Sequence, residues 1–173
     1  MRSDVGRRRY RPIMSATDFD FLLGDWSVHH RRLTDSLDPD CTTWDEFESI
    51  AEVESILGGL GNADQTRGTL ADGTAFDGYS LRLYSPETDE WAIWWASASR
   101  PGVLDDPVRG RFVDGVGTFI GPAEHGGIAF HARFRWLDTD GPNPVWEQDF
   151  SFDEGVSWAP VNWRMVHTRR GPA

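Results

Sequence analysis

From Gly24 onward, the chain alternates between short segments that favour β-strands and short segments that favour turns. About nine strands are predicted at a spacing of roughly 8 to 14 residues, and Asp114-Gly115 is the strongest hairpin signal between them. One or two helical turns around residues 17–23 precede them, and no βαβ alternation occurs. This order predicts an all-β fold, an antiparallel up-and-down barrel of about 8–10 strands with a short N-terminal helix. The predicted strands are Gly24–Leu33, Thr43–Ile56, Phe76–Tyr84, Glu90–Ser97, Val108–Val113, Val116–Ile120, Ile128–Leu137, Val145–Phe152 and Ser157–Arg169.

The chain is rich in aromatic side chains: 13% of its 173 residues are aromatic, and nine are tryptophan. Because tryptophan carries a very large apolar surface, several of them must be buried or line a cavity. The length and the hydrophobic content of 39% suffice for one sizeable core but not for two ordinary domains. We predict a single domain over residues 17–170, preceded by a disordered basic tail over residues 1–16.

Charge and composition exclude several classes of function. A net charge of −11 and a pI near 4.7 argue against nucleic acid and membrane surfaces as partners, since both require clustered positive charge. No segment resembles a secretory signal or a membrane span, and the single cysteine, Cys41, excludes an internal disulfide, so a cytoplasmic protein is expected. Every basic residue is arginine, which excludes lysine-dependent Schiff-base, pyridoxal phosphate and Walker A chemistry and favours a bacterial source with a GC-rich genome.

Alternation along the strands predicts which side chains face the barrel interior. Phe130, Phe134 and Trp136 share one face of their strand, and Trp146 and Gln148 share one face of the next. The strand Glu90–Ser97 differs, because neither of its faces is polar. Its outward tryptophan, Trp94, is predicted to lie beneath the N-terminal helix, under a loop or in a homodimer interface.

The segment Phe21-Leu22-Leu23-Gly24-Asp25-Trp26 combines a short helix with a Gly-x-Trp motif that opens the first strand. With the Leu57–Asn62 loop and the Asn162–Met165 run, it resembles the DUF1579-type lipocalin-like proteins of the calycin superfamily over residues 17–170. The resemblance implies a barrel whose first and last strands are neighbours, with the motif tryptophan beneath an arginine of the final strand. The alternation of inward and outward side chains along these two strands then predicts that Arg169 lies over Trp26 and has a structural role. It also predicts that His167 and Met165 lie near Val28 and His30.

The candidate acid-base groups are His30, His167 and Gln148, because each is predicted to face the interior and imidazole exchanges protons near neutral pH. A hydrogen-bonded histidine with a purely structural role is the alternative for each histidine. No metal site is predicted, since HxH, HExxH and CxxC motifs are absent. The interior is predicted to be closed at the Trp26 end and open near the loop Gly58–Asn62.

These features favour a barrel that binds a small apolar or aromatic molecule, either as a cofactor-independent cyclase, isomerase or lyase or as a non-catalytic carrier. No cofactor is expected, but a resemblance to nitrobindin-like relatives implies haem, with His167 as its ligand at an open barrel end. A fourth hypothesis is an interaction module that uses the face around Trp94. The predicted ligand-binding residues are Trp26, Trp95, Trp136, Trp146, Trp163, Met165, Phe130, Phe134, Tyr79 and Asn62.

Overall fold

Ten antiparallel β-strands close into a barrel in the computed structural model, which describes residues 15–171. Each strand pairs with its neighbours in chain order, and the last strand pairs with the first, so the predicted up-and-down barrel is confirmed. Residues 1–14 of the predicted basic tail lie outside the described residues, whereas Ser15 and Ala16 belong to the first of three short 3-10 turns, Ser15–Thr17, Asp20–Leu22 and Leu57–Gly59. The strands are β1 (Gly24–Leu33), β2 (Trp44–Ile56), β3 (Gly61–Thr69), β4 (Ala75–Ser85), β5 (Glu90–Ser97), β6 (Val108–Val113), β7 (Val116–His125), β8 (Ile128–Leu137), β9 (Val145–Ser151) and β10 (Trp163–Arg169).

Strand β3 is the one that sequence reasoning missed. Its residues, GNADQTRGT, are mostly polar or glycine and include no aromatic, valine or isoleucine side chain, the residues that most favour strands. Neighbouring strands impose the extended conformation, because β3 pairs with β2 from Gly61 to Gly68 and with β4 from Gly61 to Thr69. Tertiary pairing therefore overrides local propensity here.

The final strand is shorter than predicted, because residues 152–162 form a loop before β10 begins at Trp163. The Asp153 carboxylate starts this loop by accepting hydrogen bonds from the Ser151 and Ser157 hydroxyls and from the Ser157 backbone N–H. Pro160 has no backbone donor for a sheet ladder. Trp158 lies under the guanidinium of Arg133, whose Cζ is 4.1 Å from the ring centroid, and this contact holds the loop against β8.

Strands β1 and β10 pair in the register that the alternation of their side chains predicts. Trp26 is opposite Arg169, Val28 is opposite His167 and His30 is opposite Met165. The Arg169 guanidinium lies 4.1 Å from the ring centroid of Trp26, while its two terminal nitrogens donate to the carbonyls of Leu23 and Phe21. Arg169 thus ties the end of the barrel to the segment that precedes β1.

That preceding segment plugs one end of the barrel with an aromatic cluster. Phe19 is 1% exposed, and its ring centroid lies 4.9 Å from that of Trp91 and 5.0 Å from that of Phe112. The Trp91 indole donates to the Ser15 carbonyl at 2.8 Å, and the Trp26 indole donates to the Leu22 carbonyl at 2.7 Å. The plug is therefore held by both apolar contacts and buried hydrogen bonds.

The loop at residues 57–60 lies at this plugged end, so the prediction of an opening near Gly58–Asn62 was wrong. Gly24, at the start of β1, pairs with Val53 near the end of β2, and the Tyr84 backbone N–H donates to the Leu60 carbonyl. In an up-and-down barrel, the start of the first strand and the end of the second share one end of the barrel. The opening is consequently at the opposite end.

Trp94 lies on the outer face of β5 and is half-buried. The Arg109 side chain covers it, with Cζ 5.8 Å from the ring centroid. The N-terminal turns instead cover Trp91, on the inner face of the same strand. Among residues 15–171, no helix is long and apolar enough to cross a membrane.

We expect Arg169→Met to lower the free energy of unfolding by about 1–3 kcal/mol, because it removes a cation–π contact and two hydrogen bonds to the plug. Urea denaturation followed by tryptophan fluorescence measures this change. Arg170→Met is the matched control, since the neighbouring side chain is exposed and only its backbone N–H bonds to Asp25. Equal stability of the two variants would show that Arg169 does not secure the plug.

Candidate ligand-binding site

A cavity of about 650 Å³ occupies the barrel interior above the plug. Leu22 and Trp136 contribute to its floor, and Leu37, Leu70 and Leu104 line it at the opposite end, where the loops after β1, β3 and β5 meet. The cavity is within the size range of small-molecule sites, which are typically about 300–1,000 Å³.

Aromatic rings form much of the cavity wall. The ring centroid of Trp146 lies 5.6 Å from that of Trp163 and 4.9 Å from that of Phe134, in edge-to-face arrangements that leave ring faces available to a ligand. Most of the predicted ligand-binding residues line this cavity: Trp95, Trp136, Trp146, Trp163, Met165, Phe130 and Phe134.

Three residues predicted to contact a ligand do not line the cavity. Trp26 is 1% exposed and lies in the plug below the floor. Asn62 is buried, but its amide oxygen is occupied by a hydrogen bond from Arg82. Tyr79 is 49% exposed on the outer surface, so its predicted inward orientation was wrong.

The orientation of Tyr79 follows from a glycine one residue earlier. Gly78, on the inner face of β4, lies directly against the Trp95 indole, and a Cβ at this position would be 1.9 Å from that ring. Because Gly78 must face Trp95, Phe76, Ser80 and Arg82 also face inward and Tyr79 faces outward.

His30 is fully buried, and both of its ring nitrogens have partners. Trp163 Nε1 donates to Nδ1 at 3.3 Å, so the ring proton lies on Nε2, which is 2.7 Å from the Ser49 hydroxyl oxygen. Burial, aided by the charges of His167, Arg32 and His29, lowers the pKa of His30 to about 3. His30 is thus a neutral residue that fixes the orientation of Trp163 in the wall.

His167 also lines the cavity, but one of its nitrogens has no partner among residues 15–171. Nδ1 is 3.2 Å from the Pro144 carbonyl and donates its proton there, which leaves the lone pair on Nε2. Burial lowers the pKa of His167 to about 4, and the hydrogen bond to Pro144 opposes that shift. Of the three predicted acid-base groups, His167 is the histidine with a free ring nitrogen.

Gln148 is positioned by the loop before β10. Its side-chain amide donates to the Asn162 side-chain oxygen at 2.9 Å, and the Asn162 backbone N–H donates to the Gln148 carbonyl at 2.9 Å. Asn162 is 3% exposed, so this double contact is shielded from solvent. Within residues 15–171 the side-chain oxygen of Gln148 accepts no hydrogen bond, and Gln148 lines the cavity.

The strongest polar feature of the interior is an ion pair that sequence reasoning did not identify. Arg82 Nη1 donates to Asp64 at 2.6 Å and to Asn62 at 3.0 Å, while the Thr66 hydroxyl donates to the second Asp64 oxygen at 2.9 Å. The side chains of Arg82 and Asp64 are 8% and 5% exposed. We call Arg82 and Asp64, with Trp136 and His167 beside them, the polar floor.

A signal for this ion pair exists in the sequence. Asn62, Asp64 and Thr66 alternate with period two, and so do Ser80 and Arg82. Once β3 is known to be a strand, pairing places Asn62 opposite Arg82 and Asp64 opposite Ser80. The signal is hidden because no strand is predicted between Ile56 and Phe76.

The residues around His167 do not fit an axially bound haem. His167 lies near the plugged end, not at an open rim, and is 5% exposed. Its ring centroid is 5.0 Å from that of Trp136 and 5.9 Å from that of Trp26, so indoles occupy space that a wide porphyrin would need. Within residues 15–171, no group of three or more His, Cys, Asp or Glu side chains is placed to hold a metal ion.

No protein-family model matches the chain, and no curated protein matches it by sequence. Eleven chains of known structure do match. The S-type phycobiliprotein lyase CPES from Guillardia theta superposes with a TM-score of 0.63 at 10% identity, covering 92% of this chain and 95% of that one. The protein EF1p2_mFAP2b bound to DFHBI has a TM-score of 0.49 at 10% identity, covering 90% and 99%. At this level of identity the first likeness shows that the two proteins share a fold.

Proposed function

We propose that this protein binds a small, largely apolar or aromatic molecule inside the barrel and that it is a DUF1579-type lipocalin-like protein of the calycin superfamily. The observation that carries the proposal is the cavity of about 650 Å³, walled by aromatic rings and ending on a buried polar floor. An apolar ligand gains free energy of about 25 cal/mol for each Å² of apolar surface removed from water. The few polar groups then fix its orientation.

A substitution that fills the cavity tests this proposal. Ala132 is buried on the inner face of β8, and Ala129 is exposed on the same strand. We expect Ala132→Phe to weaken binding of the uncharged dye Nile red at least about tenfold, because a phenyl ring occupies ligand space. Dye fluorescence measures the affinity.

Ala129→Phe is the matched control and is expected to bind Nile red as the wild type does. Equal affinities for the two variants would place the dye outside the barrel and contradict the proposal. Absence of dye binding to the wild-type protein would contradict it as well.

An enzymatic role of the cyclase, isomerase or lyase type is the second candidate, and the free Nε2 of His167 favours it. A neutral imidazole in an enclosed cavity supplies a general base at a fixed position. His30 is a weaker candidate, since Ser49 and Trp163 occupy both of its nitrogens.

The molecule that copurifies with the protein distinguishes an enzyme from a carrier. If His167 is catalytic, His167→Gln retains unconverted substrate, and the extracted molecule differs from the wild-type one in chromatographic retention or mass. A carrier releases the same molecule from both proteins. His29→Gln, which changes an exposed histidine on the outer face of β1, is the control and is expected to match the wild type in either case.

A further inference from the structure

The polar floor carries N–H groups that have no partner among residues 15–171. Both side-chain hydrogen bonds of Arg82 use Nη1, and its Nε is buried without an acceptor. The indole nitrogen of Trp136 is likewise buried without an acceptor. Buried N–H groups are nearly always paired. Two unpaired N–H donors on side chains that line the cavity therefore indicate a hydrogen-bond acceptor that this chain does not itself supply.

The two donors flank the same ring of the plug. Arg82 Cζ lies 5.7 Å from the centroid of the Phe19 ring, and the Trp136 centroid lies 6.2 Å from it. The ring of His167 lies 5.0 Å from that of Trp136 and lines the cavity at the same level. Arg82 and Trp136 therefore both lie beside the plug, in the layer that forms the floor of the cavity.

The charge of Arg82 is already balanced. One Asp64 oxygen accepts from Arg82 at 2.6 Å, and the other accepts from Thr66. An anionic ligand would place a second negative charge next to Asp64 in a site that excludes water, where like charges repel strongly. An uncharged acceptor oxygen meets the free N–H groups without that cost.

We propose that the polar floor recognises an uncharged carbonyl oxygen, of the ketone or quinone type, at the inner end of an aromatic ligand. This inference rests on the proposed binding function and specifies its ligand class. On binding, the Trp136 and Arg82 side chains shift so that their N–H groups, which are otherwise sealed from the cavity, donate to the carbonyl, while the aromatic walls contact the remainder of the molecule. The floor favours a carbonyl compound over a hydrocarbon of the same shape, because the hydrocarbon leaves both N–H donors unpaired.

Three probes of nearly equal shape test the ligand class: acetylnaphthalene, isopropenylnaphthalene and naphthoate, all substituted at the same ring position. The first two differ only in a carbonyl oxygen in place of a methylene, and the third carries a negative charge. We expect the ketone to bind about tenfold more tightly than the alkene, and the carboxylate to bind no more tightly than the alkene. Calorimetry measures the affinities, and the infrared carbonyl stretch of the bound ketone reports hydrogen bonding.

Two variants locate the effect on the floor. Trp136→Phe keeps an aromatic ring but removes the N–H, and Arg82→Met with Asp64→Asn removes the ion pair without leaving an unpaired charge. Each is expected to reduce the ketone's advantage over the alkene and to shift the carbonyl stretch toward its value in apolar solvent. Trp146→Phe, in the wall, is the matched control and is expected to weaken both probes equally.

The outcomes separate this inference from the proposed function. Equal affinities for ketone and alkene, or tighter binding of naphthoate, overturn the carbonyl assignment and leave the binding cavity intact. A ketone preference that survives Trp136→Phe and the double variant also overturns it. Failure of all three probes to bind, together with failure of Nile red, overturns the binding function itself. If the double variant does not fold, Trp136→Phe alone decides the result.

Discussion

Arg82→Met is expected to lower the free energy of unfolding by about 3–5 kcal/mol, the usual cost of removing one partner from a buried ion pair. The variant leaves the Asp64 carboxylate 5% exposed, with only the Thr66 hydroxyl and no cation to stabilise its charge. Urea denaturation at neutral pH measures the loss.

Two comparisons show whether the loss comes from the unpaired charge. Adding Asp64→Asn to Arg82→Met removes that charge and is expected to restore at least half of the lost stability. Arg111→Met breaks a pair with Glu90 of similar length, 3.0 Å, whose side chains are 47% and 36% exposed, and is expected to cost less than about 1 kcal/mol. An Arg82→Met variant as stable as Arg111→Met would contradict the assignment of a buried ion pair.

Stability is expected to fall steeply as the pH drops from 6.5, the ordinary histidine pKa, towards 4, because of His30 and His167. Above this window, both histidines are neutral in the folded and unfolded chains and contribute no pH dependence. Within it, the unfolded chain binds two protons that the folded protein excludes, since burial lowers the folded pKa values to about 3 and about 4. Each histidine then contributes a slope of about 1.4 kcal/mol per pH unit, or nearly 3 kcal/mol together.

Urea denaturation at several pH values between about 6.5 and 4.5 measures this slope, above the range in which most carboxylates titrate. His30→Gln is expected to remove about half of the slope. His125→Gln, which changes an exposed histidine, is expected to leave it unchanged. A stability that is constant across this window, or a slope that both variants retain, would show that the two histidines are not buried in their neutral form.

The register of the first and last strands was predictable because the resemblance to lipocalin-like proteins implies that the two strands are neighbours, and the alternation of their side chains then aligns them. Trp26, Val28 and His30 alternate with polar residues in β1, and the partner residues in β10 follow the same period. When the barrel closes, the contact between Arg169 and Trp26 sets the register of β10 against β1. The position of the 57–60 loop at the plugged end was also deducible from topology, since successive hairpins alternate between the two ends of a barrel.

The polar floor was not predictable in the same way. Local propensity favours a loop for β3, and the leucines at positions 81 and 83 favour the wrong inner face for β4. Pairing with two neighbours makes β3 a strand, and the Trp95 ring requires Gly78 on the inner face. Only together do these two contacts bring Arg82 to Asp64.

By itself, the sequence determined most of the strands and turns other than β3, the antiparallel barrel and the aromatic character of its interior, because those depend on period-two alternation and composition. Tertiary structure decided that Tyr79 faces solvent and that a buried ion pair lies on the cavity floor. Those features depend on contacts between distant residues, such as Gly78 with Trp95 and Arg82 with Asp64, whose energies do not appear in any local segment.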